Sequence, residues 1–202
     1  MYHQGQRELQ DAFGSRALAD RLAERLGHDR ISDADAAFIA LQSFFFLATA
    51  DAEGRPDCSF KGGAPGFAVA VSPELLVFPD YDGNGMFRSL GNIRVNPHVG
   101  LLFIAMGEKP ARLRLNGRAV VVDDDPMMGA FPGAQLLVRV TPTEIFPNCP
   151  RYVPSHADAA PSKYIPLEGQ PRIEPAWKTY PDFSDVVPPA RGSRDAVAPE
   201  TT

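Results

Sequence analysis

Between Phe44 and Phe146 the chain is cut into seven short apolar or alternating runs by turn residues, with one helical segment inserted among them. The runs are Phe44–Ala50, Pro56–Gly62, Phe67–Val71, Leu75–Pro79, His98–Met106, Ala111–Val122 and Gln135–Phe146. Asp51–Arg55, Gly62–Gly66, Ser72–Glu74 and Asp80–Gly85 separate them with the Gly, Pro, Asp and Asn chemistry of tight turns. Strands this short, not alternating with helices, predict antiparallel pairing and a closed barrel, and they disfavour a doubly wound βαβ sheet. The inserted segment, Met86–Val95, places Phe87, Leu90 and Ile93 at three-residue steps, which predicts a helix stopped by Asn96-Pro97.

The first 43 residues read as a helical segment. Residues 7–27 carry Leu9, Phe13, Ala17, Leu18, Leu22 and Leu26 on one broad face, with Gly27 ending the run. A second helix starts after Ser32, with Asp33 and Asp35 at its positive end. Residues 44–152 form the barrel. Residues 153–202 are Pro- and Ala-rich and predict an extended, partly disordered arm, in which Trp177, Tyr180 and Phe183 are an aromatic exception.

The net charge of −5 argues against a general nucleic-acid partner, which would need a basic surface. No run approaches the length of a membrane span and the N-terminus has no apolar leader, so a cytoplasmic location follows by elimination. Two distant cysteines, Cys58 and Cys149, argue against a disulfide framework, and the four histidines lack metal-ligand spacing.

Four segments could carry chemistry. In Pro56–Lys61, Asp57, Ser59 and Lys61 share one face, which suits either an anionic ligand or solvent. Gly83-Asn84-Gly85 followed by Arg88 and Ser89 in a first helical turn makes a phosphate cradle or an ordinary turn with an exposed arginine. Arg112, Arg114 and Asn116 share the face opposite Leu113 and Leu115, and the paired arginines need an anion or surface carboxylates between them. Phe146–Tyr152 is irregular, and its Cys149 reads as a buried small apolar residue before it reads as a nucleophile.

Together PDCSFKGG (Pro56–Gly63), FPDYDGNGMFRSLGNIRVNPHVGLLFI (Phe78–Ile104), RLRLNGRA (Arg112–Ala119) and FPNCPRY (Phe146–Tyr152) resemble the pyridoxamine 5′-phosphate oxidase-like flavin-binding split barrels. The resemblance covers roughly Phe38 to Tyr152, and the stretch Tyr2–Arg16 with the NCPRY run points to its flavin-nucleotide-binding subgroup. It implies a mainly β, α+β fold: a six-stranded antiparallel split β-barrel of Greek-key type with flanking helices. It also implies a homodimer with FMN at the interface.

Carried over, Ser59, Phe60 and Lys61 would line the isoalloxazine and ribityl chain. Asn84, Arg88 and Ser89 would hold the phosphate, Tyr81 would flank it, and Arg112 would reach in from its strand. Asn148, Arg151 and Tyr152 would come from the partner subunit. The chain departs from the oxidases themselves: Pro56 stands where they carry an arginine, Arg88-Ser89 where they carry Arg-Lys, and their C-terminal Arg-x-His motif is not recognisable. These departures argue against pyridoxal phosphate synthesis. The expected function is an FMN-dependent oxidoreductase using an electron donor such as NAD(P)H. The alternatives are a non-catalytic flavin-storage or sensor module, or the same barrel holding F420 or haem.

Overall fold

Asp51 sets the first hairpin. Its Oδ1 accepts hydrogen bonds from the backbone N–H groups of Glu53 (3.0 Å) and Arg55 (2.9 Å), an Asx turn that reverses the chain between β1 (Phe44–Ala50) and β2 (Pro56–Gly62). The computed structural model describes residues 2–106, 109–150, 153, 167–171, 173–174 and 179–181. Five further strands follow: β3 (Val69–Ser72), β4 (Leu75–Tyr81), β5 (His98–Ala105), β6 (Ala111–Val122) and β7 (Ala134–Asn148).

All seven lie in one antiparallel sheet in the order β2-β1-β5-β6-β7-β4-β3. The count is seven, as the turn spacing suggested, and not the six implied by the resemblance. Among the described residues the short strand β3 pairs with β4 alone, at one edge of the sheet. Strands β5, β6 and β7 form a meander, and β4 returns beside β7, a Greek-key arrangement.

The sheet is rolled. Phe45 on β1 and Phe78 on β4 are four strands apart in the sheet order, yet their rings meet edge-on at 5.0 Å. Phe103 on β5 and Phe67, just before β3, close on the same ring at 5.0 and 5.6 Å. These inward residues join Leu47, Leu101, Leu113, Leu115, Val138 and Ile145 in one core. Alternate positions point outward, as the pleat requires. Where β6 bulges, Gly117 lies so close to β7 that an added Cβ would stand 2.4 Å from the Thr141 carbonyl oxygen, so no larger residue fits there without moving backbone.

The single helix expected over 7–27 is two helices, α1 (Gln4–Ala12) and α2 (Arg16–Leu26). Gly14 takes φ +62° between them, a left-handed conformation that ends the first. Arg7–Asp20 (2.6 Å) and Arg16–Asp11 hold this region together. The leucine face found by periodicity is real, but Leu9, Phe13, Leu18, Leu22 and Leu26 remain exposed in the single chain.

The third helix, α3 (Asp33–Ala40), starts as expected: Ser32 caps it, accepting from the Asp35 N–H at 3.2 Å. Asp35 Oδ2 in turn accepts from Ser32 N–H (2.9 Å), Ser32 Oγ (2.6 Å) and the His28 ring (2.7 Å). Burial alone would raise the Asp35 carboxyl; the Ser32 and His28 hydrogen bonds outweigh it and hold it below its ordinary value of 3.8. A carboxylate depressed in the folded state contributes stability above its unfolded value, and that contribution is lost as pH falls through the folded one. Asp35→Asn is therefore expected to cost ~1–2 kcal/mol at neutral pH, the scale of a lost helix cap. The gap to wild type should narrow below pH 3.8, as urea titrations at neutral and acidic pH would reveal.

The inserted helix, α4 (Arg88–Val95), begins two residues later than periodicity suggested, because Gly85 (φ +74°) and Phe87 (φ +48°) are left-handed. It buries Leu90 and Ile93, and Asn92 donates to Thr49 Oγ1 at 3.1 Å. Among the described residues no helix is long and apolar enough to cross a membrane, and no three His, Cys, Asp or Glu side chains gather as metal ligands.

Candidate functional site

Three elements that the sheet order separates meet at one cleft: β2, the end of β4 with the loop after it, and the start of α4. The cavity is about 490 Å³. The strand β2 presents its half-buried face, Asp57, Ser59 and Lys61, as alternation predicted. Opposite stand Asp80 and Tyr81 of β4, then Asn84, and then Arg88 and Ser89 in the first turn of α4.

The polar groups are paired across these elements. Ser59 Oγ and Ser89 Oγ are 2.9 Å apart. Arg88 Nη2 lies 3.4 Å from Asp57 Oδ1, and Lys61 Nζ lies 3.5 Å from Asp80 Oδ1. Asn84 Oδ1 accepts from the Met86 N–H at 3.0 Å, an Asx turn that shapes the loop before the helix. In α4 the first N–H groups have no carbonyl of their own helix to meet, and its dipole places positive potential at the same spot. Two hydroxyls, a guanidinium and the N–H groups of a helix start are donors of the kind that an oxyanion accepts from.

Asp80 and Lys61 are more buried than Arg88. Burial pushes the Asp80 carboxyl above its ordinary value, Lys61 pulls it back, and Asp82 pushes it up again. Burial alone pushes the Tyr81 hydroxyl up. Phe60, Met86 and Phe87 give the rim exposed apolar surface.

Of the residues expected to bind a cofactor, Ser59, Phe60, Lys61, Tyr81, Asn84, Arg88 and Ser89 all line this cleft. Arg112 and Asn148 do not. They stand opposite each other on β6 and β7, where the Arg112 guanidinium donates to the Cys149 carbonyl. Arg112 Nε and Asn148 Oδ1 are buried there with no hydrogen-bond partner among the described residues. Asn148 instead lines a separate groove of about 680 Å³ with Leu22, Leu26 and Phe146. Arg151, Tyr152, Trp177 and Phe183 lie outside the described residues, as does most of the 153–202 arm; Tyr180 is described and exposed.

Among the described residues, Arg112 meets the Cys149 carbonyl and not a carboxylate. Arg114 lies over the Phe146 ring at 5.8 Å, and Asn116 donates to Glu144 at 3.1 Å. Cys149 is exposed, contrary to the buried reading, because β7 ends at Asn148 and the chain leaves the sheet there. His98 opens β5, with its Nε2 3.3 Å from Arg118 Nη1.

Sequence reasoning missed Asp57 and Asp80 as partners in the site. Asp57 was visible on the same face as Ser59 and Lys61. Asp80 was hidden because the fourth strand was expected to end at Pro79, whereas it continues to Tyr81 against β7.

Residues 31–149, more than half of the chain, match the family model described as Pyridoxamine 5′-phosphate oxidase. No curated protein matches. The chain is similar to several solved structures. HupZ from Group A Streptococcus is 19% identical, over 64% of this chain and 99% of that one, with a TM-score of 0.46. HutZ, the heme storage protein from Vibrio cholerae, is 22% identical over 58% and 94%, with a TM-score of 0.42. An FMN-binding protein from Syntrophomonas wolfei subsp. wolfei is 10% identical over 70% and 97%, with a TM-score of 0.41.

Proposed function

This chain belongs to the pyridoxamine 5′-phosphate oxidase family, and on that premise we propose that its cleft binds FMN and that the protein is an FMN-dependent oxidoreductase. The observation that carries the reading is the gathering of the Ser59–Ser89 hydroxyl pair and Arg88 at the start of α4, in one cleft with apolar rim residues. A phosphate monoester fits this donor set, and a planar ring suits the surface offered by Phe60 and its neighbours. Ser59, Ser89, Arg88 and the α4 N–H groups would hold the phosphate. Asn84 would shape the loop around it, Tyr81 would flank it, and Lys61 would face the electron-rich part of the ring. Bound FMN supplies the hydride or electron transfer itself. The chain's own residues orient the ring, exclude water and place a cation where negative charge would develop.

In this reading two copies complete the site. Phe60, Phe46, Leu102, Arg114 and Phe146 stand opposite one another across five neighbouring strands, on the face turned away from the core. That apolar stripe suits a second copy of the chain, and Arg112, Asn148, Arg151 and Tyr152 of that copy would reach the flavin. NAD(P)H would be the electron donor, and the work would take place in the cytoplasm.

The test is a comparison of FMN with riboflavin, which differs only in lacking the phosphate. FMN is expected to bind at least ~tenfold more tightly, about 1.4 kcal/mol, the scale of one charge-assisted hydrogen bond. Equal affinity would overturn the phosphate assignment. Oxidation of NAD(P)H by the flavin-loaded protein separates an oxidoreductase from a storage or sensor module.

A further inference from the structure

Lys61 does not face the cleft alone. Its ammonium nitrogen is 3.5 Å from Asp80 Oδ1, and the two side chains keep only 19% and 10% of their exposure. They come from β2 and β4, strands that are not paired in the sheet, so the ion pair spans the gap between them. The other charged groups of the cleft are Asp82, two residues beyond Asp80, and the Arg88–Asp57 pair. Because both are largely buried, Lys61 and Asp80 attract more strongly than they would in water, and at a ligand the opposed charges largely cancel. A ligand would meet a dipole where the sequence alone shows a lysine. Burial drives the Asp80 carboxyl toward its neutral form and Lys61 opposes it, so the two groups depend on each other.

We propose that Asp80 is a positioning residue that fixes Lys61 and offsets its charge, so that the cleft gives less support to negative charge on a bound ring than a free lysine would. The inference rests on the FMN reading and adds to it: Asp80 sets the reduction potential of the bound flavin on the low side, favouring delivery of electrons over their retention. The lysine would be the visible cation, and the carboxylate behind it would be the tuning element.

The experiment compares wild type, Asp80→Asn and Asp80→Glu loaded with FMN. In D80N the oxidised flavin is expected to bind within about threefold of wild type. Reduced flavin should gain about tenfold relative to oxidised, an upward shift of about 30 mV for a two-electron couple. D80E should return toward wild type, which mere loss of packing would not produce. A D80N protein that is folded, holds FMN and keeps the wild-type potential would overturn the proposal. A wild-type protein that takes up no FMN would defeat the underlying reading, and a flavin-free measurement then decides the ion pair. Lys61 should be acetylated several-fold faster in D80N than in wild type, read by peptide mass, and equal rates would overturn the pairing too.

Discussion

Phe45→Ala is expected to lower the free energy of unfolding by about 3–5 kcal/mol, the usual cost of emptying a fully buried aromatic site. Phe45 has no exposed surface, and its ring touches Phe67, Phe78 and Phe103, residues that come from both ends of the rolled sheet. Its removal opens a void at the point where β1 and β4 meet across the barrel, and three strands and the segment before β3 cannot all shift to fill it. Urea unfolding of the variant beside Phe60→Ala checks this. Phe60 projects outward and is 62% exposed, so its loss should cost a small fraction of the Phe45 effect. Similar losses in the two variants would contradict the inward and outward assignment of β1 and β2.

Arg88→Ala is expected to weaken FMN binding by about 1.5–3 kcal/mol, roughly 10- to 150-fold, the scale of hydrogen bonds to a charged group. Arg88 is the cation in the first turn of α4 and stands in the same cleft as the Ser59–Ser89 hydroxyl pair. Its side chain is mostly exposed and its contact with Asp57 is 3.4 Å, so little folding stability should be lost. Flavin fluorescence titration would measure the affinity, and thermal unfolding of the flavin-free protein would check the fold. Arg88→Lys should recover only part of the loss, since an ammonium cannot grip a phosphate through two parallel bonds. Unchanged affinity in R88A would remove α4 from the binding site.

The parts legible from sequence were those fixed by local chemistry. The strands Phe44–Ala50, Pro56–Gly62 and Ala111–Val122 have the predicted bounds because turn residues end them, as Asp51 does through its own hydrogen bonds. That Asn84, Arg88 and Ser89 gather in one place was legible for the same reason: a glycine loop, then Arg88 and Ser89 at a helix start, is a local pattern. What periodicity could not supply was the partner of each face. The leucines of α1 and α2 share a side, yet a single chain leaves them exposed, and a hydrophobic pattern does not reveal whether its cover lies in the same molecule.

Asp80 was obscured by Pro79. A proline reads as the end of a strand, yet here it sits inside one, opposite Leu137 of β7, and carries Asp80 into the cleft. Arg112 was grouped with the cleft of its own chain through the resemblance, and Asn148 with that of a partner. Register pairs the two with each other on β6 and β7, away from this chain's cleft.

The central claim, that this cleft holds FMN, is tested most directly by the visible absorption spectrum of the purified protein, followed by release of its ligand and measurement of the ligand's mass. The spectrum of oxidised flavin and a released molecule with the mass of FMN are expected. A colourless protein that also takes up no added FMN would contradict it.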